Sequence, residues 1–150
     1  MTASELVIDY DVLNQIAQSV FQTMLEIELF PGDMELADDC LVTMIEIGGA
    51  WSGTMSLVFS PDLARNAASQ MLKLATNDVT TTDEHEVAAE LANMIGGNLK
   101  SLLPSPSKLS LPIISPSIGG AAFQHLPPSQ VVTLTGLEGS LHLAVNGVTA

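Results

Sequence analysis

Apolar positions along this chain alternate between two periods, and each switch marks a new element. Over residues 10 to 28, Leu13, Ile16, Val20, Met24 and Ile27 recur at spacings of three and four, the single stripe of an amphipathic helix. Asp9 or Asp11 can cap its start, and Phe30-Pro31-Gly32-Asp33 ends it. Residues 41 to 60 then read as strand: LVTMIEIG and TMSLVFS flank GAWSG, whose glycines and serine mark the turn of a β-hairpin. Ser60-Pro61-Asp62 is a helix start, with a cap, a proline in the first turn and an acid near the helix dipole. A short helix over 61 to 74 would bury Leu63, Ala67 and Met71.

After a polar loop at 75 to 82, a third helix is predicted from about 83 to 102. Asp83 and Glu86 have capping-box spacing, and Pro104 and Pro106 stop it. Residues 109 to 114 read as a strand, 115 to 129 as a long loop, and 130 to 136 with 139 to 146 as a closing hairpin around Leu137-Glu138. Residues 53 to 60 (GTMSLVFS) and 139 to 146 (GSLHLAVN) echo one another, which hints at two similar β units in one sheet. The pattern as a whole predicts an α+β fold, an antiparallel sheet with helices packed on it.

Within the third helix two stripes separate. Val87, Leu91, Met94, Ile95, Leu99 and Leu102 form the apolar one. Glu86, Glu90, Asn93, Gly97 and Lys100, at spacings of four, three, four and three, form a polar one. Gly96 and Gly97 each cost about 1 kcal/mol relative to alanine in a helix interior, so they call for a reason. Gly97, on the polar stripe, would let another backbone approach; Gly96 would pack tightly on the sheet or kink the helix.

Composition narrows the function classes. At 150 residues the chain is long enough for one domain, 1–150, with a real core. It is 47% hydrophobic and only 14% charged, with mean hydropathy +0.37, so some apolar surface is expected between subunits. The net charge is −13, and the four bases (Arg65, Lys73, Lys100, Lys108) make no basic stripe. Nucleic acid and an anionic membrane surface are therefore poor partners. The uncharged run 109–137 is punctuated by Pro112, Pro116, Pro127 and Pro128 and does not read as a membrane span. A single cysteine, Cys40, read as a buried or half-buried thiol, forms no disulfide framework and fits a reducing cytoplasm; the first residues lack the basic and apolar regions of a signal peptide. His85, His125 and His142 lack ligand spacing, so no metal site is expected. Gly-x-Ser-x-Gly and phosphate-loop motifs are absent.

What remains is the polar stripe. Glu90-Leu91-Ala92-Asn93 places an acid and an amide one turn apart, and Pro116 follows after 22 residues. Glu-x2-Asn on a helix, then 22 residues, then Pro, resembles the motif of the CheC/CheX family of chemotaxis phosphatases, and the order of elements is similar. One complete motif makes the chain look like CheX rather than the two-motif CheC. The family carries Asp or Ser four residues before the Glu; here Glu86 stands there, and is assigned to capping its own helix. Asp11-x2-Asn14 is a faint second copy, but Ala37 replaces the proline, so this pair is read as cap and surface.

The resemblance implies a cytoplasmic protein of two-component signalling, a homodimer joined through β-structure. Its substrate would be the phospho-aspartate of a CheY-like response-regulator receiver domain. Asn93 would position the attacking water and Glu90 would pair with the receiver's lysine, the two forming the candidate catalytic pair. Glu86, Gly97 and Pro116 would border the partner. Mg2+ would belong to the receiver, and the chain would need no cofactor of its own. A second reading keeps the fold without the chemistry: a receiver-binding or flagellar-switch-like interaction module, which would bind a phospho-receiver and tolerate loss of Asn93.

Overall fold

A computed structural model describes residues 9–114 and 130–147. Three helices, α1 (Tyr10–Leu25), α2 (Pro61–Leu72) and α3 (Thr81–Lys100), accompany seven strands: β1 (Phe30–Pro31), β2 (Leu41–Gly49), β3 (Gly53–Phe59), β4 (Ser107–Leu109), β5 (Ile113–Ile114), β6 (Gln130–Gly136) and β7 (Gly139–Gly147). The strands form one antiparallel sheet in the order β1-β6-β7-β3-β2-β4, with β5 also on β2. The expected α+β fold is the one observed. Both hairpins form where turn chemistry placed them: Ile47 faces Gly53 in the first, and Gly136 faces Gly139 across the two-residue Leu137-Glu138 turn in the second. The echoing segments are β3 and β7, which lie side by side in the centre of the sheet.

The main core lies between the helices and one face of the sheet. Strand alternation sends Ile45, Ile47, Met55, Leu57, Phe59, Leu141, Leu143 and Val145 to that face, where they meet Leu13, Phe21, Leu63, Leu91, Ile95 and Leu99 from the helices. On the far face Cys40, Val42, Val58 and Ala144 form a smaller buried cluster, with the half-buried Met34 and Leu36 packed against it. Cys40 is buried there, as expected, and its thiol pKa is raised, chiefly by burial.

Several boundaries differ from the sequence reading. The first helix stops at Leu25, because Glu26 takes the left-handed conformation and its N–H returns to Gln22 and Phe21. Ile27 is buried as expected but from an extended segment, and Met24 is half exposed. Phe30–Pro31, expected only as a stop, pairs with β6. Asp9 is the cap, its Oδ1 accepting the Asp11 N–H at 2.8 Å. Asn14 is buried rather than on the surface. The second helix is two residues shorter than expected, and Met71 is only half-buried.

The strand expected over 109 to 114 is broken in two. From Leu109 opposite Ile47 to Ile113 opposite Met44 the chain takes four steps against three. This one-residue bulge is held by Ser110, whose Oγ accepts the Glu46 N–H at 2.9 Å and whose N–H donates to the Glu46 carbonyl at 2.9 Å. The loop 115 to 129, with Pro116 and His125, lies outside the described residues.

Candidate functional site

The motif helix begins earlier than its acids suggested. Thr80 is the N-cap: its Oγ1 accepts the Asp83 N–H at 3.1 Å, and the Asp83 carboxylate accepts the Thr80 N–H at 2.9 Å. A β-branched hydroxyl and an acid three residues on make this reciprocal box, which displaces the expected pairing of Asp83 with Glu86. Glu86 therefore does not cap its helix; its side chain is exposed. Asp83 and Glu84 sit at the positive end of the helix dipole and Lys100 in the last turn, the favourable placement at both ends.

Helical phasing settles which face is which. Val87, Ala88, Leu91, Ala92, Ile95, Gly96 and Leu99 are buried. Glu86, Glu90, Asn93, Gly97 and Lys100 are exposed. At 3.6 residues per turn the five exposed positions fall within about 80° of arc, half a turn from the centre of the buried set. Two members of the expected apolar stripe differ: Met94 is half-buried and Leu102, beyond the helix, is exposed.

Neither the Glu90 nor the Asn93 side chain makes a hydrogen bond or ion pair with a described residue. Three residues apart on one helix, their Cβ atoms lie about 5–6 Å from each other. Both lie on the exposed face of the helix, where among the described residues they are open to reach into a partner's cleft. The nearest ion pair at this helix, Arg65 with Glu84 at 3.8 Å, is a loose contact between α2 and the first turn of α3.

The two glycines have different surroundings. A Cβ on Gly96 would lie 3.3 Å from Ile45 Cδ1 and 3.4 Å from Leu109 Cδ1, so Gly96 lets α3 sit close against β2 and β4. The helix continues through it as one element from Thr81 to Lys100. A Cβ on Gly97 would meet nothing within 4 Å. Beyond Gly97, a groove of about 580 Å³ opens between the last turn of α3 and the chain leading into β4, a feature that periodicity could not reveal. Among the described residues, no three His, Cys, Asp or Glu side chains come together to hold a metal ion, and no helix is long and apolar enough to cross a membrane.

This arrangement of helices and sheet has solved counterparts. The chemotaxis protein CheX from Vibrio vulnificus superposes with a TM-score of 0.72 at 17% identity, over 92% of this chain and 95% of that one. A CheC-like superfamily protein from Shewanella sp. PV-4 gives 0.72 at 19% identity, over 96% and 100%. The CheX–CheY–BeF3–Mg2+ complex from Borrelia burgdorferi gives 0.71 at 18%, over 95% and 99%. No curated protein sequence matches the chain. The family described as "Chemotaxis phosphatase CheX" matches residues 41–121, a stretch that runs from β2 through the whole of the motif helix. With that match across more than half of its length, and the motif helix at its centre, this chain belongs to the CheX family of chemotaxis phosphatases.

Proposed function

We propose that this protein accelerates hydrolysis of the phospho-aspartate of a CheY-like receiver domain. The observation that carries the reading is the outward pair Glu90 and Asn93, one turn apart on a rigid, well-capped helix and unengaged by described residues. An exposed pair of this kind completes a site only when inserted beside another protein's phosphoryl group. The Borrelia burgdorferi relative is a complex of CheX with CheY, which supports a receiver as that partner.

An acyl phosphate is labile, so positioning a water contributes most of the rate. The Asn93 carboxamide oxygen accepts from the water while its NH2 donates to a phosphoryl oxygen, as water-orienting amides do in GTPases. The water oxygen bonds to phosphorus, the bond to the aspartyl oxygen breaks, and carboxylate and inorganic phosphate leave. Glu90 pairs with the receiver's lysine and sets the register of the helix. Gly97 leaves room for the receiver's backbone, and Glu86 adds charge at the rim. Mg2+, held in the receiver, neutralises developing charge there. A homodimer joined through β-structure belongs to the same reading. Sedimentation at micromolar protein checks it.

The decisive assay follows the decay of phosphorylated receivers, each receiver of the source cell in turn, with and without this protein. Faster decay of at least one is expected. Unchanged decay of all of them sinks the enzymatic reading, and binding without faster decay would favour the interaction module.

A further inference from the structure

Charge is unevenly placed along the exposed stripe of α3. Glu86 and Glu90 occupy its first half, and Lys100 stands alone near its end. Lys100 is exposed and forms no ion pair with a described residue. It stands at the mouth of the 580 Å³ groove, whose lining also includes Gly97, Ser101, Ser105 and Ser107 and contains no acid. In a chain of net charge −13, this groove offers one cation, three hydroxyls and no carboxylate. The other bases are elsewhere: Arg65 pairs with Glu84, and Lys73 caps the end of α2. Ser107 lines the groove and Leu109 reaches Gly96, so strand alternation turns Lys108 to the opposite face.

We propose that Lys100 and its groove take an acidic side chain on the receiver surface, making Lys100 a specificity-determining contact for the docking of the partner. This rests on the receiver-phosphatase reading above. At 1.5 Å rise per residue, Lys100 lies about 15 Å along the axis from Glu90 and about 10 Å from Asn93. The stripe is thus bipolar and fits a receiver that presents a base at the phosphorylation site and a carboxylate about 15 Å away. Reversing the helix on its target would set like charges against each other at both ends, so the cation fixes polarity as well as attraction. The last turn of a helix favours a lysine through the dipole alone. That reading explains the position of Lys100 but not the acid-free groove around it, and it predicts no effect on a partner.

The test compares Lys100→Glu and Lys100→Gln with Lys108→Glu, which makes the same change of charge on the other face. The probes are the receivers of the source cell, phosphorylated for turnover and beryllofluoride-activated for binding. For a receiver that the parent protein dephosphorylates, Lys100→Glu should raise KM about tenfold, with kcat within about twofold. Lys100→Gln should lie between, the effect should shrink in high salt, and Lys108→Glu should change KM less than about twofold. Equal losses from Lys100→Glu and Lys108→Glu would reduce the effect to net charge and overturn the proposal, as would an unchanged KM in Lys100→Glu. A parent protein that binds an activated receiver without dephosphorylating it, while Lys100→Glu loses that binding, removes the enzymatic reading and leaves this one standing. A parent protein that binds no receiver overturns both.

Discussion

Two helices of this protein carry an acid three residues ahead of an asparagine, and their fates are opposite. In α3, Glu90 and Asn93 both face solvent. In α1, Asp11 is exposed, but Asn14 is only 6% exposed, between Leu13 and Ala17, with its Oδ1 lacking a hydrogen-bond partner among the described residues. The spacing is identical; the phase against the apolar stripe is not. In α3 the asparagine stands opposite Ile95 and Leu99. In α1 it shares the buried face with Leu13, Ala17, Val20 and Phe21. A motif of this type gains meaning only from the face on which it is printed.

The sharpest way to break the comparison is to exchange what each asparagine can lose. Asn93→Ala should slow stimulated decay of the phospho-receiver by about a hundredfold or more, with Tm moved by less than about 2 °C, because the side chain is exposed and makes no hydrogen bond with a described residue. Decay rates and a melting curve on the same sample check both halves. Glu90→Ala should act mainly on docking. A rise of about tenfold in KM with a smaller change in kcat is expected, and a dominant loss in kcat would move the acid from docking into the chemistry.

Asn14→Leu should do the reverse of Asn93→Ala. Removing a buried, unpartnered carbonyl oxygen for an apolar group of similar size should leave stability unchanged or raise it by about 1 kcal/mol, with activity intact. Urea unfolding reads it, and a loss of activity would show that α1 carries a second working site. The adjacent glycines offer a parallel contrast. Gly97→Ala should raise stability by up to about 1 kcal/mol through helix propensity while weakening receiver binding. Gly96→Ala should gain less, because Ile45 and Leu109 must shift by a few tenths of an ångström.

The smallest effect concerns pH. His142 on β7, 3.3 Å from Thr133 Oγ1, has its pKa lowered by burial. The unfolded chain takes up a proton near pH 6.5, which the folded one resists. Stability is therefore unaffected by this group above that pH and falls as the pH drops below it. His142→Gln should flatten that acid limb in unfolding midpoints measured from pH 7 to 5.

Much of this was legible in the chain because it rested on local chemistry. Turn glycines and the Ser60-Pro61-Asp62 start placed both hairpins and α2 to within two residues. The 3.6-residue period separated the two faces of α3. What was not legible depended on competition or on tertiary contact. Thr80 and Asp83 form the box instead of Asp83 and Glu86: Thr80 has the extended backbone of an N-cap, and Asp83 already lies inside the helix. Ile27 fits a helical stripe equally well whether the chain is coiled or, as here, extended beyond Glu26. Asn14 is drawn into the core by its apolar neighbours, since a helix cannot turn one residue outward alone. The Ser110 bulge has no local signature; it exists because β2 offers a partner.

That bulge also bears on colloidal behaviour. One described rim of the sheet is the two-residue β1 with its Pro31, which has no N–H to offer; the other is β2's ribbon, cut into three and two residues at Ser110. A stranger's strand meets no long, straight template on either described rim. For a chain that is 47% hydrophobic, this interruption is a guard against runaway edge-to-edge assembly at the crowded concentrations of a cell.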